Sequence, residues 1–352
     1  MQLQDRIREA AGPVLAHYKV PGVVIVAAKE EQAPVATTIG LDAAGNELAR
    51  DSLFPVASIT KLATALAVLR LVDTGFLALD APLACYLPDA AAALPGVTLR
   101  TLLSHSSGLP QDINPDAAPY VEGLTWAAVA QVCLQTPLAA PPLTRVLYSN
   151  AGYGLLAIVV ERTTGDAFRR ALARLVLDPL GIEGYLGVEP PRAPIALADV
   201  RGSSKGTPRE PYTTPFWRSL AFPWGGLDTT ADGALALVRA FAGIPAGFLS
   251  ASLRAEAVRN QTGDLPGGYG GPFMYARCPW GLGPDLHADK KPHWAPDGSS
   301  PDVFGHAGAS GCVAWYDPAR AVAWAILGSR TADNGWLLRG TPAIGQAILD
   351  AA

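Results

Sequence analysis

Ser58-Ile-Thr-Lys61-Leu-Ala-Thr-Ala-Leu-Ala-Val-Leu-Arg70-Leu-Val-Asp-Thr74 reads as one helix, apolar nearly all round through Leu62, Ala63, Leu66, Val68, Leu69 and Val72, and so is expected to be buried. Its first turn carries Ser58 and Lys61. Positions i and i+3 share a helix face, which sets an amine one turn from a hydroxyl, and a helix N-terminus favours negative charge developing on that oxygen. A lysine buried among apolar neighbours is costly in its charged form, so its pKa falls and it suits the part of proton acceptor. The tetrapeptide alone is weak: chance supplies about one Ser-x-x-Lys in a chain of this length, and an N-cap serine beside a snorkelling lysine explains it equally well.

Two further segments add to it. Tyr148-Ser149-Asn150 immediately precedes another apolar helix. A tyrosine beside a serine–lysine pair relays protons, and an asparagine holds the lysine or a substrate carbonyl; the plain alternative is a turn and a helix cap. Gly305-His306-Ala307-Gly308-Ala309-Ser310-Gly311 then leads into a C-terminal hairpin, where small residues let a strand bring backbone N–H groups close to a substrate.

Ser-x-x-Lys, Tyr-x-Asn and His-x-Gly in that order resemble the set found in serine β-lactamases and penicillin-binding proteins. The flanks agree: Gly75–Pro82, Tyr86-Leu-Pro88, Leu102–Pro110, Glu161–Gly165, Pro179–Ile182, Gly225–Asp232 and Trp280–Gly283 are similar to connecting segments of the class C β-lactamase-related hydrolases, over roughly residues 10 to 350. The resemblance implies an α+β serine-β-lactamase fold. Residues 1–57 and 218–352 would form the sheet domain, 58–217 a mostly helical domain, and the active site would lie between them. It implies Ser58 as acylated nucleophile, Lys61 and Tyr148 as its general-base system, Asn150 as the residue orienting Lys61, and an oxyanion hole from the backbone N–H groups of Ser58 and Ala309. Substrate contacts would come from Asn150, His306, Gly308, Trp224 and Trp280. β-Lactamases and D,D-peptidases usually carry lysine where this chain has His306, a residue mostly neutral near pH 7. The departure points to the family VIII carboxylesterases and to short-chain esters, with a β-lactamase, a D-amino-acid peptidase or amidase, or a catalytically silent binding protein as alternatives.

Outward from these motifs, Gly22–Ala28 and Pro34–Gly40 read as strands, Gly311–Tyr316 and Ala321–Gly328 as a hairpin, and residues 3–18 and 341–349 as helices. Helices are also expected at Leu99–Ser104, Trp126–Gln135, Ala151–Thr163 and Asp166–Val176. Such an order builds a sheet from both chain ends around a helical insert. Gly263–Gly305 lacks periodicity and reads as a long loop over a site. The 352 residues are 49% apolar and only 16% charged, against roughly 25% charged in an average domain, which excludes long disorder and coiled coil. The net charge of −4 offers phosphate no basic surface, so a small-molecule ester or amide is expected rather than nucleic acid. The N-terminus shows no apolar signal stretch and no run suits a membrane span, so a cytoplasmic protein is expected, with Cys85, Cys133, Cys278 and Cys312 as reduced core residues.

Three further patterns are set aside. Gly202-Ser-Ser204-Lys-Gly206 matches Gly-x-Ser-x-Gly but lies among prolines, without the strand and helix that a nucleophile elbow needs. His105 reads as a structural corner. Asp285, His287, Asp289 and His293 fit no ligand spacing and read as a solvated loop, so no metal and no cofactor are expected.

Overall fold

The computed structural model describes residues 2–352. Its strands are β1 (Gly22–Lys29), β2 (Val35–Gly40), β3 (Phe54–Pro55), β4 (Val146–Leu147), β5 (Gly184–Leu186), β6 (Leu227–Thr229), β7 (Gly267–Gly270), β8 (Phe273–Tyr275), β9 (Asp285–Leu286), β10 (Phe304–Gly308), β11 (Cys312–Asp317) and β12 (Val322–Gly328). The helices are α1 (Leu3–Tyr18), α2 (Thr60–Asp73), α3 (Leu99–Leu103), α4 (Trp126–Gln135), α5 (Asn150–Thr164), α6 (Phe168–Leu172), α7 (Pro215–Ser219), α8 (Ala231–Ala242), α9 (Ala251–Ala257) and α10 (Trp336–Leu349).

The main sheet runs β2-β1-β12-β11-β10-β9, antiparallel throughout, so the first strands pair directly with the last. In β1 the alternation that a pleated strand imposes sorts Val23, Ile25 and Ala27 onto one face and Val24, Val26 and Ala28 onto the other. The first set packs with Ile7, Ala11 and Leu15 of α1 and with Ile344 and Ile348 of α10. The second joins the larger core that holds α2, α5 and α8. Covering both faces explains why β1 and β12 are continuous apolar runs instead of alternating ones. A small sheet, β3-β6-β5, and another, β4-β7-β8, join the helical region to the sheet region.

Four expectations about elements need adjusting. Ser58 sits in a single 3-10 turn, Ala57–Ile59, that leads into α2, and the expected helix over Asp166–Val176 is α6 followed by a π turn at Ala173–Leu177. The last helix starts at Trp336 and carries Pro342 within it. Gly263–Gly305 is not one loop, since it forms β7, β8 and β9. Cys85 is exposed, whereas Cys133, Cys278 and Cys312 are buried, and all four are free thiols.

The start of α5 is fixed by Ser149, whose Oγ accepts from the Gly152 N–H at 2.9 Å and donates to the Pro110 carbonyl at 2.6 Å. The helix ends at Gly165, in the left-handed region at φ 71°. The plain cap reading of Tyr148-Ser149-Asn150 is therefore correct for the middle residue, and the cap holds its two neighbours at the mouth of the helix. Ser149→Ala removes a cap and a buried hydrogen bond together and is expected to lower stability by about 1–3 kcal/mol in urea unfolding.

Candidate active site

Ser58 follows Ala57, which is held at φ 43°, a left-handed conformation that a residue with a Cβ adopts only under constraint. The constraint comes from both sides. Val56 N–H donates to the Leu227 carbonyl at 3.0 Å, and Gly308 on β10 lies so close that a Cβ there would meet the Val56 carbonyl oxygen at 2.3 Å. Gly308 is thus needed for close approach. Ser58 and Ala309 line the same cavity, and among the described residues neither backbone N–H donates a hydrogen bond to the protein.

Lys61 is fully buried. Its Nζ lies 3.3 Å from Ser58 Oγ, 2.9 Å from the Trp224 carbonyl oxygen and 4.6 Å from the centre of the Tyr148 ring. Burial pushes its pKa well below the ordinary lysine value, and the charge of Asp112 only partly opposes this. Tyr148 is pushed the other way, well above the ordinary phenol value, chiefly by burial, with Ser58 acting in the opposite sense. Both shifts favour the uncharged forms. A neutral amine at that position donates to the Trp224 carbonyl and turns its lone pair towards Ser58, while the protonated Tyr148 hydroxyl is buried beside Ser58 without a well-formed hydrogen bond.

The cavity measures about 320 Å³ and is lined by Ser58, Tyr148, Asn150, Trp224, Gly308 and Ala309 among the expected residues. Gln111, Tyr212, Trp217, Tyr269 and Trp294 complete much of the wall. These five carry no motif or periodicity that points to a site, since they lie in loops and short elements whose path the sequence pattern does not fix.

Three expected contacts are different in the structure. Asn150 makes no hydrogen bond to Lys61: its Nδ2 donates to Asp112 Oδ1 at 2.6 Å, and its Oδ1 is buried without a partner. The reason is the loop after Pro110, which brings Gln111 and Asp112 against the start of α5, with Asn150 N–H donating to the Gln111 carbonyl at 2.6 Å. His306 is fully buried and does not line the cavity; its Nδ1 donates to the Ala307 carbonyl at 2.6 Å. Burial, with Lys61 nearby, takes its pKa down to about 4, so it is neutral at pH 7. Trp280 is also fully buried and lies behind the site, 5.9 Å from the Tyr148 ring and 4.7 Å from that of His105.

Of the residues set aside, Ser204 lies in a run of turns with no strand before it and no helix after it. His105 forms a buried corner at φ 57°, and its Nδ1 accepts from the Ser149 N–H at 3.0 Å. The solvated loop expected around Asp285 is a correction: Asp285, His287, Lys290 and His293 are buried, and only Asp289 faces solvent. No helix among the described residues is long and apolar enough to cross a membrane.

A family model described as Beta-lactamase matches residues 6–347. Among curated proteins, the chain is 32% identical over 255 residues to esterase EstB of Burkholderia gladioli, covering 62% of this chain and 64% of the esterase. It is 32% identical over 202 residues to penicillin-binding protein 4 of Amycolatopsis lactamdurans, covering 55% of this chain and 52% of that one. The matched stretches thus span about half to two thirds of these relatives. A solved β-lactamase from Mycobacterium bovis is 28% identical with a TM-score of 0.67, covering 97% of this chain and 98% of that one.

Burial of Lys61 generates a stability prediction. Since its folded pKa lies below the unfolded value, the unfolded chain binds more protons between the two, and this residue's penalty shrinks as pH rises through that window. Lys61→Met is expected to raise stability at pH 7 by about 1–4 kcal/mol while abolishing turnover. Unfolding curves at pH 7 and pH 10 check both the gain and its decline with pH.

Proposed function

The chain belongs to the β-lactamase family, and on that premise we propose that it is a serine hydrolase forming an acyl-enzyme at Ser58, acting as a carboxylesterase of the family VIII type on short-chain, uncharged esters. The observation that carries this reading is the cavity wall: none of its residues bears a charged side chain, and six are aromatic, Tyr148, Tyr212, Trp217, Trp224, Tyr269 and Trp294. A substrate carboxylate would meet no cation there, because His306 is neutral and enclosed. Similarity to an esterase over 62% of the chain supports the same reading.

In this mechanism the neutral amine of Lys61 takes the Ser58 hydroxyl proton as Oγ bonds to the ester carbonyl carbon. The oxyanion is held by the Ser58 and Ala309 N–H groups, which among the described residues donate no hydrogen bond to the protein. Collapse of the tetrahedral species breaks the bond to the alkoxy group, and the Tyr148 hydroxyl supplies the departing oxygen with a proton, which Lys61 restores. Water then attacks the acyl-enzyme by the reverse path and Ser58 leaves. Penicillin-binding protein 4 favours a second reading, as a peptidase or β-lactamase, in which a carboxylate-bearing substrate is turned over equally well.

The two readings separate on substrate charge. Loss of a charge-assisted contact to a carboxylate costs about 1.5–3 kcal/mol, or roughly 10- to 150-fold in rate when the contact is made in the transition state. Short p-nitrophenyl esters are therefore expected to exceed a chromogenic cephalosporin in kcat/KM by at least about tenfold; parity would move the assignment to the second reading. Ser58→Ala is expected to abolish ester turnover and labelling by a fluorophosphonate in intact-mass measurements, while Ser204→Ala keeps both. Full activity in Ser58→Ala would remove the nucleophile assignment.

A further inference from the structure

Behind the cavity wall lies a charged group that the mechanism does not use. Asp285 is fully buried and forms an ion pair with the equally enclosed Lys290. Its second oxygen, Oδ2, accepts from His293 Nε2 at 3.0 Å and from the Tyr269 hydroxyl at 2.9 Å. The His293 tautomer is fixed, since its Nδ1 accepts the Ala295 N–H at 3.1 Å and the proton is left on Nε2. Burial alone would raise the pKa of Asp285, yet Lys290 and His293 hold it below the usual carboxylate range, so the acceptor stays ionised. Three donors on one carboxylate make a rigid anchor.

What the anchor holds is Tyr269. Its ring forms part of the cavity wall and lies against the Tyr148 ring at 4.6 Å between centres, tilted by 37°. The same strand holds Tyr148 from the backbone: Leu147 is in parallel register with Gly268 of β7, and the Tyr148 N–H donates to the Gly268 carbonyl at 3.1 Å. The Tyr148 hydroxyl makes no well-formed hydrogen bond and is influenced only by the neighbouring Ser58 side chain, so the direction of its ring is set by the rings packed against it, Tyr269 and His105, each 4.6 Å away between centres.

We propose that Asp285 and Tyr269 are positioning residues for Tyr148: the carboxylate pins the Tyr269 hydroxyl, and the pinned ring keeps the Tyr148 hydroxyl directed at the reacting oxygens. The inference rests on Tyr148 having the proton-transfer role given above. Tyr269→Phe is the direct test, since it keeps the ring and the Asp285–Lys290 pair and removes only the tether. It is expected to lower kcat for a short p-nitrophenyl ester by about tenfold or more, with KM changed less than about threefold, because small misplacements of a catalytic group are expensive in rate. In the Tyr148→Phe background the same substitution is expected to cost nothing further. Equal losses in both backgrounds, or no loss in Tyr269→Phe, would overturn the proposal. Full activity in Tyr148→Phe alone would instead remove the proton-transfer role, so the two failures are distinct.

A second pair guards against a folding defect in the first. Asp285→Asn with Lys290→Met leaves no lone buried charge and keeps an acceptor oxygen for Tyr269, whereas Asp285→Leu with Lys290→Met removes it. The first double variant is expected to retain kcat within about threefold and the second to lose it to the level of Tyr269→Phe; matching activities in the two would overturn the role of the hydrogen bond.

Discussion

A fully buried amine that forms no ion pair among the described residues sets the terms for this molecule. Holding Lys61 out of water costs several kcal/mol if it is charged, an expense that the burial of two or three of the leucines on α2, at about 1.5–3 kcal/mol each, is enough to offset. The polar residues at its start all bond to one segment of backbone. Thr60 Oγ1 accepts from the Leu227 N–H at 3.1 Å, Lys61 donates to the Trp224 carbonyl at 2.9 Å, and Thr64 donates to the Pro223 carbonyl at 2.5 Å. Three side chains of its first turns thus fasten the 223–227 backbone along α2. That backbone continues into β6, which pairs with β3, and β3 leads straight to Ser58. The lysine that lowers stability is in this way also one of the ties that place Ser58.

The aromatic wall and the neutral histidine follow from the same economy of charge. With Lys61, Tyr148 and His306 all pushed towards their uncharged forms by burial, the ionised carboxylate of Asp285 lies behind the wall, compensated by its own lysine. Tyr269 and Trp280 lie between it and Tyr148, though its charge still raises the Tyr148 pKa.

What could be read from the sequence was local or periodic. The Ser58–Lys61 contact is one helical turn, and β1, β11 and β12 declare themselves by unbroken apolar runs, so the sheet made of both chain ends was legible. The Asp285, Lys290 and His293 cluster was not, because it lies in an aperiodic stretch rich in glycine and proline, where polar residues read as solvated. Its burial comes from β9 pairing with β10, a contact that no spacing announces. Asn150 shows the limit of motif reasoning in the other direction: its place at the start of α5 is as expected, but its side chain answers to Asp112, on a loop whose path the motif does not encode. Trp280 and His306 lie near the right site on the wrong side of a wall, since residue type and neighbourhood do not tell which face of a strand or loop looks into a cavity.

The position of β12 between β1 and β11 has a bearing on how the chain comes to be made. On the ribosome, residues 22–29 emerge long before residues 322–328, so β1, with β2 available for one edge, must hold its other edge open and both faces apolar until β12 emerges some 300 residues later. The helical insert, whose contacts are closer along the chain, is able to collapse first. Gly308 reaches Val56 only once the final hairpin has closed. Ser58 is therefore translated early and enclosed late, and a nascent chain stalled before the last strands would carry Ser58 and Lys61 without the strand that lies against them, together with an unpaired β1 edge open to aggregation.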